Sequence, residues 1–131
     1  MKSFFKYNRL TILWALFILM ICNADLGGVG KSHLFFEGFD KLTHCGLFFV
    51  LVVFGGNWYL YKNGANTLTS IPAFVITLLA IVYGGIIELL QLYVFTWRSG
   101  EWPDLFCDMV GACMAMFCIL VTTTTVKNVK A

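Results

Sequence analysis

Charge is what this sequence has least of. Only 12% of its 131 residues are Asp, Glu, Lys or Arg, about half of the roughly 25% typical of a soluble domain. An ordinary water-soluble globule of this length is therefore excluded. The nine basic residues form no face or run and the net charge is +2, so no nucleic-acid partner is implied. The five cysteines, at 22, 45, 107, 113 and 118, include no CxxC pair. Four lie within apolar runs and Cys107 just inside one, so they read as small buried hydrophobes rather than a disulfide framework. No Cys and His spacing resembles a zinc site, and with no dedicated metal motif no residue is assigned to a metal and no cofactor is named. Period-two alternation is missing too, which argues for helices over a membrane barrel.

What is abundant is apolar surface. Hydrophobic residues make up 60% of the chain, aromatics 17%, with thirteen Phe and a mean hydropathy of +0.82. These values predict an all-α integral membrane protein, a single domain built as a four-transmembrane-helix bundle with helices at about 7–26, 42–61, 71–95 and 104–126. The first apolar run follows Lys2, Lys6 and Arg9 and also has the form of a signal peptide. Taken as uncleaved, it is the first helix. Residues 25–39 form a glycine-rich loop, and Trp58 to Tyr61 closes the second run as an aromatic belt.

Four spans with short loops put both termini on one side. An N-terminus inside places Lys2, Lys6, Arg9, Lys62, Lys127 and Lys130 in the cytoplasm, against Lys31, Lys41 and Arg98 outside. The positive-inside rule favours that arrangement, in the cytoplasmic (inner) membrane of a cell, with both termini cytoplasmic.

The polar residues then gather at the outer face. Asp40, Lys41 and His44 open the second helix, Glu88 and Gln91 lie toward the outer end of the third, and Arg98, Asp104 and Asp108 surround the start of the fourth. Asp40 and His44 are one turn apart, as are Asp104 and Asp108, and Gly84, Gly85 and Gly111 allow close helix approach. Glu88 should close the bottom of a funnel about 10 Å below the helix end. A carboxylate at that depth is costly unless paired, with Arg98 the first expected partner and Lys41 or His44 next.

The pattern Asp40-Lys41-x-x-His44, Glu88-x-x-Gln91, then Arg98, Asp104 and Gly111 resembles the VanZ-like membrane proteins, over about residues 39–116. The family pattern usually has Asn where this chain has Asp108, so the site here is more acidic. The family takes its name from an accessory protein of glycopeptide-antibiotic resistance, and the resemblance implies a role at the bacterial cell envelope.

Two functions suit these residues. In a binding module, Lys41 and Arg98 clamp a phosphate or carboxylate, while Gln91, Asp104, Asp108 and Glu88 hold hydroxyl, amine or amide groups. An envelope lipid headgroup or a lipid-linked peptidoglycan precursor has such groups. In a membrane-embedded hydrolase or transferase, His44 is the general base, oriented by Asp40 or Glu88, with Arg98 and Lys41 stabilising developing charge. Ser99 and Thr43 are weak candidates for a nucleophile, and a divalent cation held by Asp104, Asp108, Glu88 and His44 would repair that gap without any dedicated metal motif to assign it. The glue alternative assigns the same residues to joining helices, with Asp104 capping the fourth.

Overall fold

A computed structural model describes residues 8–24, 38–95, 97 and 100–130, with side chains described to residue 126. Four helices make up these residues: α1 (Arg9–Asn23), α2 (Phe39–Asn63), α3 (Ser70–Tyr93) and α4 (Trp102–Lys130). Punctuation residues set their ends. Gly38 precedes α2 at φ 88° and Gly64 follows it at φ 58°, left-handed conformations that glycine adopts without penalty. The Gly64 N–H donates to the Leu60 and Tyr61 carbonyls, closing the last turn. Pro72 and Pro103 both stand in first turns, where a missing N–H costs nothing.

Phe39–Asn63, Ser70–Tyr93 and Trp102–Val126 are long and apolar enough to cross a membrane. Their outward faces carry Ile71, Phe74, Leu89, Phe106 and Phe117 exposed, a surface suited to lipid and not to water. The chain is a membrane protein. The expected four-span bundle is met only in part, because α1 has 15 residues. At 1.5 Å per residue that is about 22 Å, short of a hydrocarbon core of about 30 Å. The helix predicted for 7–26 is shorter, because Ala24 is already extended (φ −67°, ψ 136°) and Asn8 is not helical. Of the loop expected at 25–39, residues 25–37 lie outside the described residues and Phe39 already belongs to α2.

The helices alternate in direction. His44 meets Asp108 and Gly56 faces Ile119, so α2 and α4 run parallel, and they pack most closely of all pairs. Ala15 meets Tyr83 and Cys22 meets Gln91, so α1 runs parallel to α3. The core between them holds Ile18, Phe48, Val52, Ile87, Ala112 and Ala115. Gly111 sets the α2–α4 spacing: a Cβ there would collide with the Cys45 carbonyl oxygen, so the two backbones touch.

Side chains tie α1 to this frame through backbone carbonyls. The Tyr83 hydroxyl donates to Ala15 (2.6 Å), Trp14 Nε1 to Leu47 (2.9 Å) and Gln91 Nε2 to Cys22 (2.9 Å). Thr122, Thr123 and Thr125 donate to carbonyls one turn back, so these hydroxyls add little polarity to α4.

Candidate functional site

The site begins with two helix openings laid side by side. Asp40 and Asp104 fall in the first turns of α2 and α4, where a carboxylate is favoured by the helix dipole. One turn deeper on each helix come His44 and Asp108. Because α2 and α4 are parallel and held at backbone contact, these two levels meet across the interface. His44 Nδ1 lies 3.0 Å from Asp108 Oδ1, with the imidazole 2% and the carboxylate 0% exposed. Above them Lys41 Nζ lies 3.7 Å from both Asp104 Oδ1 and Glu101 Oε2, ion pairs too long for hydrogen bonds.

Glu88 enters from α3. Its Oε2 accepts a hydrogen bond from the Glu101 backbone N–H at 2.8 Å, and Gly100 lets the preceding chain press on the end of α3, since a Cβ there would meet the Glu88 carbonyl oxygen at 2.7 Å. One carboxylate oxygen each from Glu88 and Asp108 and a ring nitrogen of His44 lie within 4.8 Å of one another. Asp40, His44 and Asp104 make a second such group around the same imidazole. Satisfaction is incomplete: Asp108 Oδ2, Glu88 Oε1 and Asp104 Oδ1 are hidden from solvent without a hydrogen bond from the described residues.

A groove of about 380 Å³ opens on the lipid-facing side between α3 and α4. Val82, Ile86, Leu89, Leu92 and Leu105 line its almost wholly apolar wall, and Glu88, Glu101 and Trp102 border one end. Gly85 forms part of its wall, and a methyl added there would have nothing within 4 Å. Of the glycines expected to bring helices together, Gly84 and Gly111 do so and Gly85 does not.

Asp40, Lys41, His44, Glu88, Asp104 and Asp108 are thus brought to one end of the bundle. The partnerships differ from those expected. His44 is paired with Asp108 of α4, not with Asp40 on its own helix or with Glu88. The deepest groups are His44 and Asp108, while half-buried Glu88 bends up to the loop backbone instead of closing the funnel. Gln91 is buried but turned to α1, where it donates to Cys22. Arg98 and Ser99 lie outside the described residues, and with them the expected Glu88–Arg98 pair. Thr43 Oγ1 donates to the Phe39 carbonyl at 2.9 Å.

Glu101 is the participant that sequence reasoning passed over, and its backbone N–H left no trace in residue type. Its place between Gly100 and Trp102 at a helix entry was the available signal. No disulfide joins any of the five cysteines, but only Cys22 is buried, and Cys113 and Cys118 are exposed on the outer surface. Trp97 Nε1 donates to the Asn23 carbonyl at 3.1 Å, and its ring stands edge-on to Phe95. No family model matches the chain, and no curated protein or solved structure matches it either.

Proposed function

We propose that this protein binds an amphiphile of the cell envelope, with the polar headgroup at the carboxylate cluster and the tail in the groove between α3 and α4. The observation that carries this reading is the shape of that groove, apolar along Val82, Ile86, Leu89 and Leu92 and ending on Glu88 and Glu101. Its volume of about 380 Å³ falls within the about 300–1,000 Å³ of ligand clefts. A headgroup bearing hydroxyl, amine or amide donors suits the carboxylates, and Lys41 adds a cation at the rim. A lipid headgroup and the end of a lipid-linked peptidoglycan precursor both meet these requirements. The resemblance to VanZ-like proteins and the four-span arrangement with both termini cytoplasmic belong to the same proposal, which puts the cluster at the outer face.

Lipid extracted from protein purified in mild detergent tests the reading. Mass spectrometry should find one class of polar lipid enriched over the surrounding membrane. Leu89→Trp, which fills the groove, and Glu88→Gln, which removes the charge, should each abolish that enrichment. Lipid of bulk composition in all three preparations would refute the proposal.

The second reading, a hydrolase or transferase, is favoured by the 3.0 Å contact between His44 and Asp108, which suits an oriented general base. Turnover of the enriched lipid by the purified protein, lost in His44→Gln, would select it.

A further inference from the structure

We propose that His44, Glu88 and Asp108 form a binding site for a borderline divalent cation, Zn²⁺ or Mn²⁺, at the junction of α2, α3 and α4. The inference goes beyond lipid binding and stands without it. Three observations converge. First, donors from three helices gather at one point: one ligand atom from each residue falls within 4.8 Å of the others. The 3.0 Å between His44 Nδ1 and Asp108 Oδ1 matches two ligands at right angles on an octahedral ion with bonds of about 2.1 Å, whereas a tetrahedral ion spreads them to about 3.4 Å. Such an ion would take the place of the shared proton.

Second, two oxygens of this group lack a donor. Asp108 is 0% exposed, yet its Oδ2 accepts no hydrogen bond from the described residues, and neither does Glu88 Oε1. Asp108 Oδ2 is directed at Gly84 of α3, where an added methyl would meet it at 2.7 Å. Gly84 lies one helical turn from Glu88, so this orphaned oxygen sits against the face of α3 that carries the third ligand. Carboxylate oxygens without partners are expensive in a low-dielectric interior, and a cation would satisfy both.

Third, among the described residues no lysine or arginine reaches the pair of carboxylates: both ion pairs of Lys41 go to Glu101 and Asp104, and the basic group beside Glu88 and Asp108 is the His44 imidazole. An imidazole with two carboxylates favours zinc or manganese over magnesium, which prefers oxygen ligands and water.

The full-length protein, stripped with chelator and placed in lipid nanodiscs, is titrated calorimetrically with Zn²⁺, Mn²⁺ and, as control, Mg²⁺. One equivalent of Zn²⁺ or Mn²⁺ is expected, bound at least about 100-fold more tightly than Mg²⁺. His44→Gln and Asp108→Asn should weaken it at least about 100-fold, beyond the range for an outer-sphere partner, while Cys113→Ser, an exposed thiol outside the group, should retain it. Because a variant can fail to fold, wild-type protein loaded with Mn²⁺ is also read by pulsed electron paramagnetic resonance for coupling to one imidazole nitrogen. The chain has two histidines, so the coupling must persist in His33→Gln. No saturable binding, binding unchanged in His44→Gln, or Mn²⁺ without nitrogen coupling would each overturn the site. So would an ion that binds only in Arg98→Gln, since a guanidinium would then hold these oxygens in the native protein.

Discussion

The two ends of the α2–α4 interface are built from the same parallel helices but on opposite principles. At the end of Gly56, the glycine receives the Ile119 side chain, with Val52 and Ala115 nearby in an apolar core. Contact there is a matter of volume. At the end of His44, the interface buries an imidazole against a carboxylate, and Asp108 Oδ2 accepts no hydrogen bond from the described residues. Volume alone would be served better by two aliphatic residues, because a buried ion pair is weak evidence for stability. The difference teaches where to look for function: the shape-packed end holds the bundle together, and the charged end uses that rigidity. Gly111 lies between them, and both depend on its contact with Cys45.

The comparison can be broken at its fulcrum first. Gly111→Leu forces a side chain against the Cys45 backbone, which has no rotamer to yield, so both ends should fail together. The expected outcome is loss of more than about 3 kcal/mol, read as protein that no longer survives size-exclusion chromatography in detergent. Ile119→Ala sharpens the contrast from the apolar end. It should cost about 2–4 kcal/mol for the void left in a buried position, lowering the thermal midpoint in detergent while enriched lipid is retained.

Gly84→Ala probes the charged end. The methyl at 2.7 Å from Asp108 Oδ2 and 3.3 Å from Phe48 Cε1 must displace the carboxylate. Lipid retention should fall about tenfold or more, with a stability loss of about 1 kcal/mol. Equal damage from Gly84→Ala and Ile119→Ala in both measurements would erase the distinction between the ends. The smallest effect belongs to Gly56→Ala. Its methyl would meet Ile119 Cδ1 at 2.7 Å, the free tip of a side chain that can rotate away, so the midpoint should shift by less than about 1 kcal/mol.

Much of this was legible in the sequence because local signals happened to carry it. Gly64, Pro72 and Pro103 mark helix ends, and α2 and α3 begin and end within three residues of the predicted limits. Paired spacings of four residues, Asp40 with His44 and Asp104 with Asp108, announced two polar helix faces. That these faces meet was legible, since the spacing aims Asp40, His44 and Asp108 toward one pocket and His44 does meet Asp108; which side chains pair was not. The spacing alone made Asp40 the natural partner of His44, but the register of α2 on α4, fixed where Gly111 touches Cys45, delivers Asp108 instead. Register is a tertiary property, and no residue states it. The same holds for Gly84 and Gly85, equal in the sequence and divided by helix rotation, so that one receives Asp108 and the other lines a groove. The backbone N–H that Glu88 uses is invisible for a plainer reason, since every residue but proline has one.

The pairing of α2 with α4 also sets an order of assembly. His44 and Asp108 are 64 residues apart, with all of α3 synthesised between them. At about 5–20 residues per second, about 3–13 s separate the two side chains as they emerge. During that interval α2 must reside at the membrane with a histidine, a lysine and an aspartate near one end and no α4 to receive them. A chain truncated after α3 should therefore be recognised by membrane quality control as a helix hairpin with exposed polar groups. Of the four helices described, the one made after the other three is the one that ends the exposure.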